Sequence, residues 1–239
     1  MKNRIWYDTE FLDTGRAIHL ISIGLVCEDG REYYAVNADA PWNAIAQHHW
    51  LPDNVVSQLP LAGPIGRAAF TGWASFQIDR KNSAVKPRQV IANETRDLIL
   101  ATPRPRLWAN YSAHDHVALT QLWGPLTSAP QGIPWRTNDL QQEIERLEAA
   151  GLLDRASLPR QREGEHHALA DARHNREVHL YLDRFDALAA WQHATLRLVE
   201  RIVGDQTALD ADATTQIRAA LFTASPDFGH EADREADHG

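Results

Sequence analysis

The sequence predicts an α/β fold in which a mixed β-sheet is flanked by helices. Three β-rich segments open the chain, and helical segments surround one further strand over the rest of its 239 residues. The second segment, residues 18–28, is almost continuously apolar, which is typical of a strand buried on both faces. The pair Asp29 and Gly30 then predicts a tight hairpin between the second and third strands.

The remaining elements follow from local patterns. Aromatic and β-branched runs predict strands, apolar residues spaced by three and four predict helices, and Pro or Gly marks where these end. The predicted strands are residues 3–9, 18–28, 31–37 and 106–111. The predicted helices are residues 41–49, 88–101, 115–123, 137–150, 167–188, 189–203 and 210–222. We expect Asn138 or Thr137 to be the N-cap of the helix at 137–150.

These elements divide the chain into three parts. Residues 1–188 are predicted to form the main domain, and residues 51–86, which lack clear periodicity, are predicted to be an insertion within it. Residues 189–222 are predicted to be a C-terminal extension of extra helices. The acidic segment 223–239 is predicted to be disordered.

Composition restricts the function only loosely. The single cysteine, Cys27, excludes an internal disulfide framework and, with no recognisable signal peptide, favours a cytoplasmic protein. The longest apolar run near the start, residues 17–27, is too short to cross a membrane. The formal charge of −8 has the wrong sign for binding nucleic acid by charge alone. A site that holds divalent cations must, however, supply carboxylates itself.

Two acids lie at the end of the first predicted strand. Asp8 and Glu10 are two residues apart, so on an extended backbone both side chains point to one face and can share cations. A solvent-facing turn is the alternative, because the pattern Asp-x-Glu is common. An aromatic strand that leads directly into two acids is nevertheless a costly place for uncompensated charge.

Asp115 lies where a predicted strand gives way to a predicted helix. Functional side chains are frequent at such positions in α/β proteins. An aspartate there can also be a simple helix N-cap, and taken alone the residue is better interpreted in that way.

Residues 166–174 form a third cluster, rich in histidine and acid. His167, Asp171 and His174 would share one face of a continuous helix and could bind zinc directly. His166 and Asp171 would lie roughly 140° apart on such a helix. They can converge only if His166 precedes the helix, which Gly164 makes feasible. Spacing alone does not choose between these arrangements.

Taken together and in order, these clusters resemble the three motifs of the DEDDh superfamily of 3′→5′ exonucleases. Residues 166–172 match the pattern His-x-Ala-x-x-Asp-Ala at each defined position, and Asn110 stands five residues before Asp115, as in oligoribonuclease-like members. The opening Tyr-Asp-Thr-Glu-Phe and the segments at 20–24, 32–36 and 114–125 resemble a narrower group, the small actinobacterial-type 3′→5′ exoribonucleases.

The resemblance implies an RNase H-like fold, a homodimer, and hydrolysis of RNA from its 3′ end with release of nucleoside 5′-monophosphates. It also implies two divalent cations, Mg²⁺ or Mn²⁺. The implied metal ligands are Asp8, Glu10, Asp115 and Asp171. His166 would be the general base, and Thr9 and Phe11 would line the pocket of the terminal nucleotide. Phe11 could instead pack under the sheet.

Several alternatives remain. A DNA exonuclease would use the same five catalytic residues, Asp8, Glu10, Asp115, His166 and Asp171. A catalytically idle nucleic-acid-binding protein would normally have lost one or more of them, and a zinc hydrolase would use the helix-face set instead. Among basic residues, Arg160, Arg162 and Arg173 could contact the substrate backbone, although Arg173 is also expected to pair with Glu177 on the helix.

Overall fold

A six-stranded sheet forms the centre of the first of two units, Met1–His179. In this computed structural model of the protein, residues 2–204 are described, with side chains as far as residue 185 and at 191, 195 and 197. The strands are β1 (Arg4–Asp13), β2 (Ile18–Cys27), β3 (Glu32–Asn37), β4 (Gly66–Arg67), β5 (Ala74–Ser75), β6 (Val85–Lys86), β7 (Arg106–Ala109) and β8 (Asn138–Asp139). The helices are α1 (Trp42–Gln47), α2 (Leu51–Asn54), α3 (Arg88–Leu100), α4 (Ala113–Thr120), α5 (Leu140–Ala149) and α6 (Ala168–Gly204). In the second unit, which begins at Leu180, the described residues all lie in α6.

The sheet is mixed, with the strand order β6-β3-β2-β1-β7-β8. β1, β2 and β3 pair antiparallel, and the short turn at Asp29 and Gly30 joins the last two of them as the sequence predicts. β7 pairs parallel with β1, so the chain must cross over between them, and α3 provides this crossover. The predicted α/β fold is therefore confirmed, and the sheet with its flanking helices is consistent with an RNase H-like fold.

Alternation along β1 directs its side chains to two different environments. Tyr7 packs into a core cluster with residues of β2, β7, α3 and α4. Trp6 faces the opposite way and donates its indole N–H to Nδ1 of His179 in α6, at 2.9 Å. Asp8 and Glu10 share the side of Trp6, because side chains two residues apart in a strand point the same way. Both acids therefore lie on the face that α6 covers.

The segment 51–86 contains more order than its sequence indicates. It includes α2 and the separate β4–β5 hairpin, and it ends in β6, which joins the main sheet beside β3. Its apolar side chains pack with those of β2 and β3 in a second core cluster. The segment is thus attached to the sheet through both backbone pairing and side-chain packing.

Two predicted boundaries are wrong. β1 continues beyond the acids to Asp13, because β2 keeps pairing with it past an irregularity between Glu10 and Phe11. α6 runs unbroken to Gly204, so no boundary separates the helices predicted at 167–188 and 189–203. Residues 168–203 contain neither glycine nor proline, and nothing local interrupts the helix. The helix predicted at 210–222 and the tail predicted at 223–239 lie outside the described residues.

The predicted N-cap of α5 is also wrong. The helix begins at Leu140, and its cap is Asp139, whose carboxylate accepts the N–H of Gln141 at 2.8 Å. Asn138 pairs with Trp108 in the sheet as part of β8, so it is unavailable as a cap. Within residues 2–204, no helix has the length and apolar character needed to cross a membrane.

The start of α6 lies unusually close to β2 at Gly24. A Cβ atom built on Gly24 would meet the backbone of Ala168 and Leu169 at 2.4 Å, far inside van der Waals contact. Gly24 is also the cross-strand partner of Asp8. Because a glycine has no side chain, the helix can rest directly on the strand beside the first acid.

We therefore expect Gly24→Ala to lower the free energy of unfolding by about 1–3 kcal/mol, because the new methyl group must displace helix backbone. Urea denaturation measures the change. Gly63→Ala is the matched control, since a Cβ there meets nothing within 4 Å. We expect the control to lie within about 0.5 kcal/mol of wild type. Equal stability of the two variants would contradict the close packing at Gly24.

Candidate active site

Three carboxylates converge between the sheet and α6. Asp8 and Glu10 come from β1 and Asp171 from the first turn of α6, and one oxygen of each lies within 4.8 Å of the others. Oxygen ligands of this kind suit Mg²⁺ and Mn²⁺. Among the described residues this cluster is the candidate metal site, and the acids predicted on one face of a strand are indeed brought together.

Asp115 lies in the same cleft but outside this group of three. It is the third residue of α4, whose N-cap position is Ser112, so the interpretation of Asp115 as an N-cap is wrong. Its buried carboxylate accepts both the backbone N–H and the hydroxyl of Thr9, at 2.9 and 2.6 Å. The hydroxyl of Thr9 is therefore engaged in holding Asp115 against β1.

His166 precedes the helix, as its convergence with Asp171 requires. α6 begins at Ala168, and His166 has a left-handed backbone with φ of +65°. Gly164, with φ of +76°, lets the loop turn tightly over the helix. The ring of His166 lines the cleft and meets the indole of Trp50 edge-on, with 4.7 Å between the ring centroids.

The ring of His167 does not line the cleft. It stacks on Tyr34 at 4.4 Å between centroids, and its Nδ1 accepts the backbone N–H of Ala170 at 3.4 Å. Within residues 2–204, His167 and His174 form no three-ligand group with Asp171. This geometry argues against the helix-face zinc site.

Four contacts hold the first turns of α6, one to the preceding loop and three to the sheet. The amide of Gln161 donates to Asp171 at 2.6 Å, and the amide of Asn175 donates to the backbone carbonyl of Tyr7 at 3.3 Å. The indole of Trp6 donates to His179, as described above. Arg173 forms a two-pronged ion pair with Glu32 of β3, at 3.0 and 2.5 Å, so the predicted pairing with Glu177 is wrong. No short-range spacing could have indicated a partner 141 residues away.

The carboxylates in the cleft are largely buried, and their negative charges repel one another. Burial, followed by the charge of Asp171, raises the pKa of Glu10 to about 8. Burial raises the pKa of Asp115 to about 6, against the hydrogen bonds from Thr9. Burial and then the neighbouring acids raise the pKa of Asp8, and burial raises that of Asp171. A divalent cation would relieve this repulsion, so the donor set fits such an ion.

The cleft around the acids has a volume of about 460 Å³. Phe11 lines it and stacks on His114 with 5.8 Å between ring centroids, so Phe11 does not pack under the sheet. The sequence did not indicate Tyr111 and Gln161, which line the cleft, or Trp50, which meets the ring of His166. Tyr111 is held by Asp139, 28 residues along the chain, and Gln161 by its bond to Asp171, so no local motif points to either residue.

Comparison with known proteins gives a consistent result. A family model described as the 3′-5′ exoribonuclease Rv2179c-like domain matches residues 3–182. Two curated proteins of Mycobacterium tuberculosis are similar, the 3′-5′ exoribonuclease Rv2179c of strain H37Rv and the 3′-5′ exoribonuclease MT2234.1 of strain CDC 1551. Each is 37% identical over 174 residues, which cover 71% of this chain and 87% of the relative. The resemblance to actinobacterial-type exoribonucleases is confirmed.

The raised pKa values predict how the metal-free protein responds to pH. Between pH 4.5 and about 8, Glu10 is ionised in the unfolded chain but protonated in the fold. Stability without cation should therefore fall as pH rises through this window. Mn²⁺ would bind the ionised carboxylates, so we expect it to raise the Tm more at pH 8 than at pH 5.5. Thermal unfolding with and without Mn²⁺ measures both effects.

Asp8→Asn tests the origin of this response. The neutral amide removes repulsion, so the variant should melt higher than wild type without cation at pH 8 and gain less from Mn²⁺. Glu145→Gln, at an exposed position on α5, is the control and should behave as wild type. A full Mn²⁺ response in the Asp8 variant would exclude that carboxylate as a ligand.

Proposed function

The chain belongs to the Rv2179c-like 3′-5′ exoribonuclease domain family, and on that premise we propose that it removes nucleoside 5′-monophosphates from the 3′ ends of RNA. The observation that carries the proposal is the convergence of Asp8, Glu10 and Asp171 in one cleft with His166. All five residues of the DEDDh pattern are present, which argues against a catalytically idle protein.

Asp8, Glu10 and Asp171 would hold two divalent cations, Mg²⁺ or Mn²⁺, with Asp115 assisting. When bound, such ions lower the pKa of water and offset the negative charge of the scissile phosphate. Thr9 fixes Asp115, and Gln161 orients Asp171 by donating to one of its oxygens. These two neutral donors orient the carboxylates without neutralising them, so their charge stays available to the cations.

His166 would be the general base. It would take one proton from the attacking water as the water oxygen bonds to phosphorus and the bond from phosphorus to the 3′ oxygen breaks. The 3′ oxygen would leave with the bonding electron pair and take a proton from solvent, which makes it the new terminal hydroxyl of the shortened RNA. The left-handed backbone at His166 and the contact with Trp50 support this role, because both direct the imidazole to the cleft in which the acids lie.

Phe11 would contact the terminal nucleotide at the rim of the cleft, where its ring is half-exposed beside His114. Thr9 would take part mainly by positioning Asp115. The homodimer expected from the resemblance stays a prediction, as does the preference for RNA over DNA.

Three single variants test the catalytic roles. His166→Ala should lower kcat by about 10²–10⁴-fold, the usual contribution of a general base. Asp171→Asn should abolish detectable hydrolysis by removing a cation ligand. His167→Ala is the matched control, because it deletes the same ring one residue away and outside the cleft, and should keep kcat within about tenfold of wild type. Circular dichroism and the Tm would verify folding. A severe loss in the His167 variant with a mild one in the His166 variant would reverse the assignment of the base.

Matched RNA and DNA oligonucleotides of one sequence, 5′-labelled and single-stranded or with a 3′ overhang, test the substrate. With Mg²⁺ or Mn²⁺, RNA should shorten stepwise from its 3′ end. DNA should react roughly five- to tenfold more slowly if one hydrogen bond to the 2′-hydroxyl is lost. Product analysis should find nucleoside 5′-monophosphates. Equal or faster degradation of DNA would favour the DNA exonuclease alternative.

A further inference from the structure

Tyr111 combines three features that ordinary packing does not explain. It lines the cleft, its side chain is 69% exposed, and its backbone is left-handed with φ of +53°. A bulky aromatic residue avoids this backbone region because its Cβ crowds the following carbonyl. Three non-glycine residues in the described part of the chain have positive φ, and two of them, Tyr111 and His166, line this cleft.

The strained conformation is held by Asp139. One carboxylate oxygen of Asp139 accepts the backbone N–H of Tyr111 at 3.2 Å and that of Gln141 at 2.8 Å. The other oxygen accepts both the N–H and the hydroxyl of Ser112, at 2.9 and 3.0 Å. A single side chain thus caps α5 and fixes the two residues that lead into α4.

The residue before Tyr111 is also fixed. The side-chain amide of Gln141 donates to Oδ1 of Asn110 at 2.8 Å, and Arg155 donates to the amide oxygen of Gln141 at 2.9 Å. Both neighbours of Tyr111 are therefore held, Asn110 by its side chain and Ser112 by its N–H and hydroxyl, while the aromatic ring itself stays exposed. Strain kept in place by surrounding contacts, at a residue that buries little surface, is typical of a position selected for binding.

The charge of the protein explains why an exposed aromatic ring would be useful for binding RNA. The chain carries −8, and the cleft is lined by acids, so phosphate attraction to basic residues cannot provide most of the affinity for RNA. Stacking of bases on aromatic rings is largely independent of charge and of sequence, because every base has a π-face.

We propose that Tyr111 stacks on a nucleobase at the 3′ end of the substrate and that Asp139 holds it ready to do so. The inference rests on the proposed function, since it names a contact for the RNA at that same cleft. Tyr111 acts in binding, and the hydrolytic step remains with the acids and His166.

Tyr111→Asn separates binding from stability. Asparagine tolerates the left-handed backbone, so the variant should melt at or above the Tm of wild type. Its KM for RNA should rise roughly 5- to 100-fold, with kcat changed much less, because one base stack is lost. Tyr111→Trp keeps an aromatic face and should restore a KM close to wild type. Trp135→Ala removes another exposed aromatic ring, outside the cleft, and should leave KM unchanged.

Abasic substrates identify the partner of the ring. RNA that lacks the base at either the terminal or the next position is compared with intact RNA, using wild type and Tyr111→Asn. On one of the two abasic substrates, the KM difference between the proteins should disappear. The same rise in KM on all three substrates would overturn the stacking contact, as would a KM unchanged by Tyr111→Asn or raised equally by Trp135→Ala.

A binding measurement under conditions without hydrolysis separates the test of the stacking contact from the test of the proposed function. Fluorescence anisotropy of labelled RNA without divalent cation should give the same ranking of the variants and substrates. If wild type degrades no RNA yet binds it in a Tyr111-dependent way, the proposed function fails and the stacking contact stands. If wild type degrades RNA and the variants bind alike, the stacking contact fails and the proposed function stands.

Discussion

The contact between α6 and β2 at Gly24 determines whether the acids can meet at all. Asp8 and Glu10 belong to the sheet, whereas Asp171 belongs to a helix that crosses over it, so the distance between the carboxylates follows the distance between the two layers. Gly24 allows the helix backbone to rest on the strand directly beside Asp8. Ala168 and Ala172 are both fully buried, and their small side chains also allow the helix to pack closely. Larger side chains at this contact would separate Asp171 from the other two acids.

This close approach brings negatively charged carboxylates together. Favourable contacts elsewhere in the fold must offset the repulsion between them. The contacts that hold α6 on the sheet lie mostly away from the carboxylates. Trp6 bonds to His179, Asn175 to the backbone of Tyr7, and Arg173 to Glu32 across the sheet. Because the helix is fixed at these points, the site itself can keep acids whose pKa values are raised. The fold thus supplies an arrangement of acids that a bound divalent cation would stabilise.

The sequence predicts the α/β fold well, because the patterns of strands and helices depend on short-range rules. Alternation along a strand places Asp8 and Glu10 on one face. The spacing of residues 166–174 left the position of His166 open, and only the resemblance to the DEDDh motif favoured its place before the helix. Other features depend on tertiary contacts. Thr137, Asn138 and Asp139 are all acceptable helix caps, and only the pairing of Asn138 with β7 leaves Asp139 in that role. In the same way, the backbone of Tyr111 is set by a carboxylate 28 residues away.

On the proposed function, the loops that carry Tyr111 and His166 would link substrate contact to the hydrolytic step. Both residues have strained backbones, and neither is held by its own side chain: Asp139 fixes one loop, and the turn at Gly164 shapes the other. An acidic cleft attracts RNA poorly by charge, so on the proposed function recognition would be concentrated where aromatic rings and bound cations meet the end of the RNA strand. That requirement suits an exonuclease better than an endonuclease. An enzyme that needs only the last nucleotides of its substrate can dispense with an extended basic surface and still bind through a few fixed contacts.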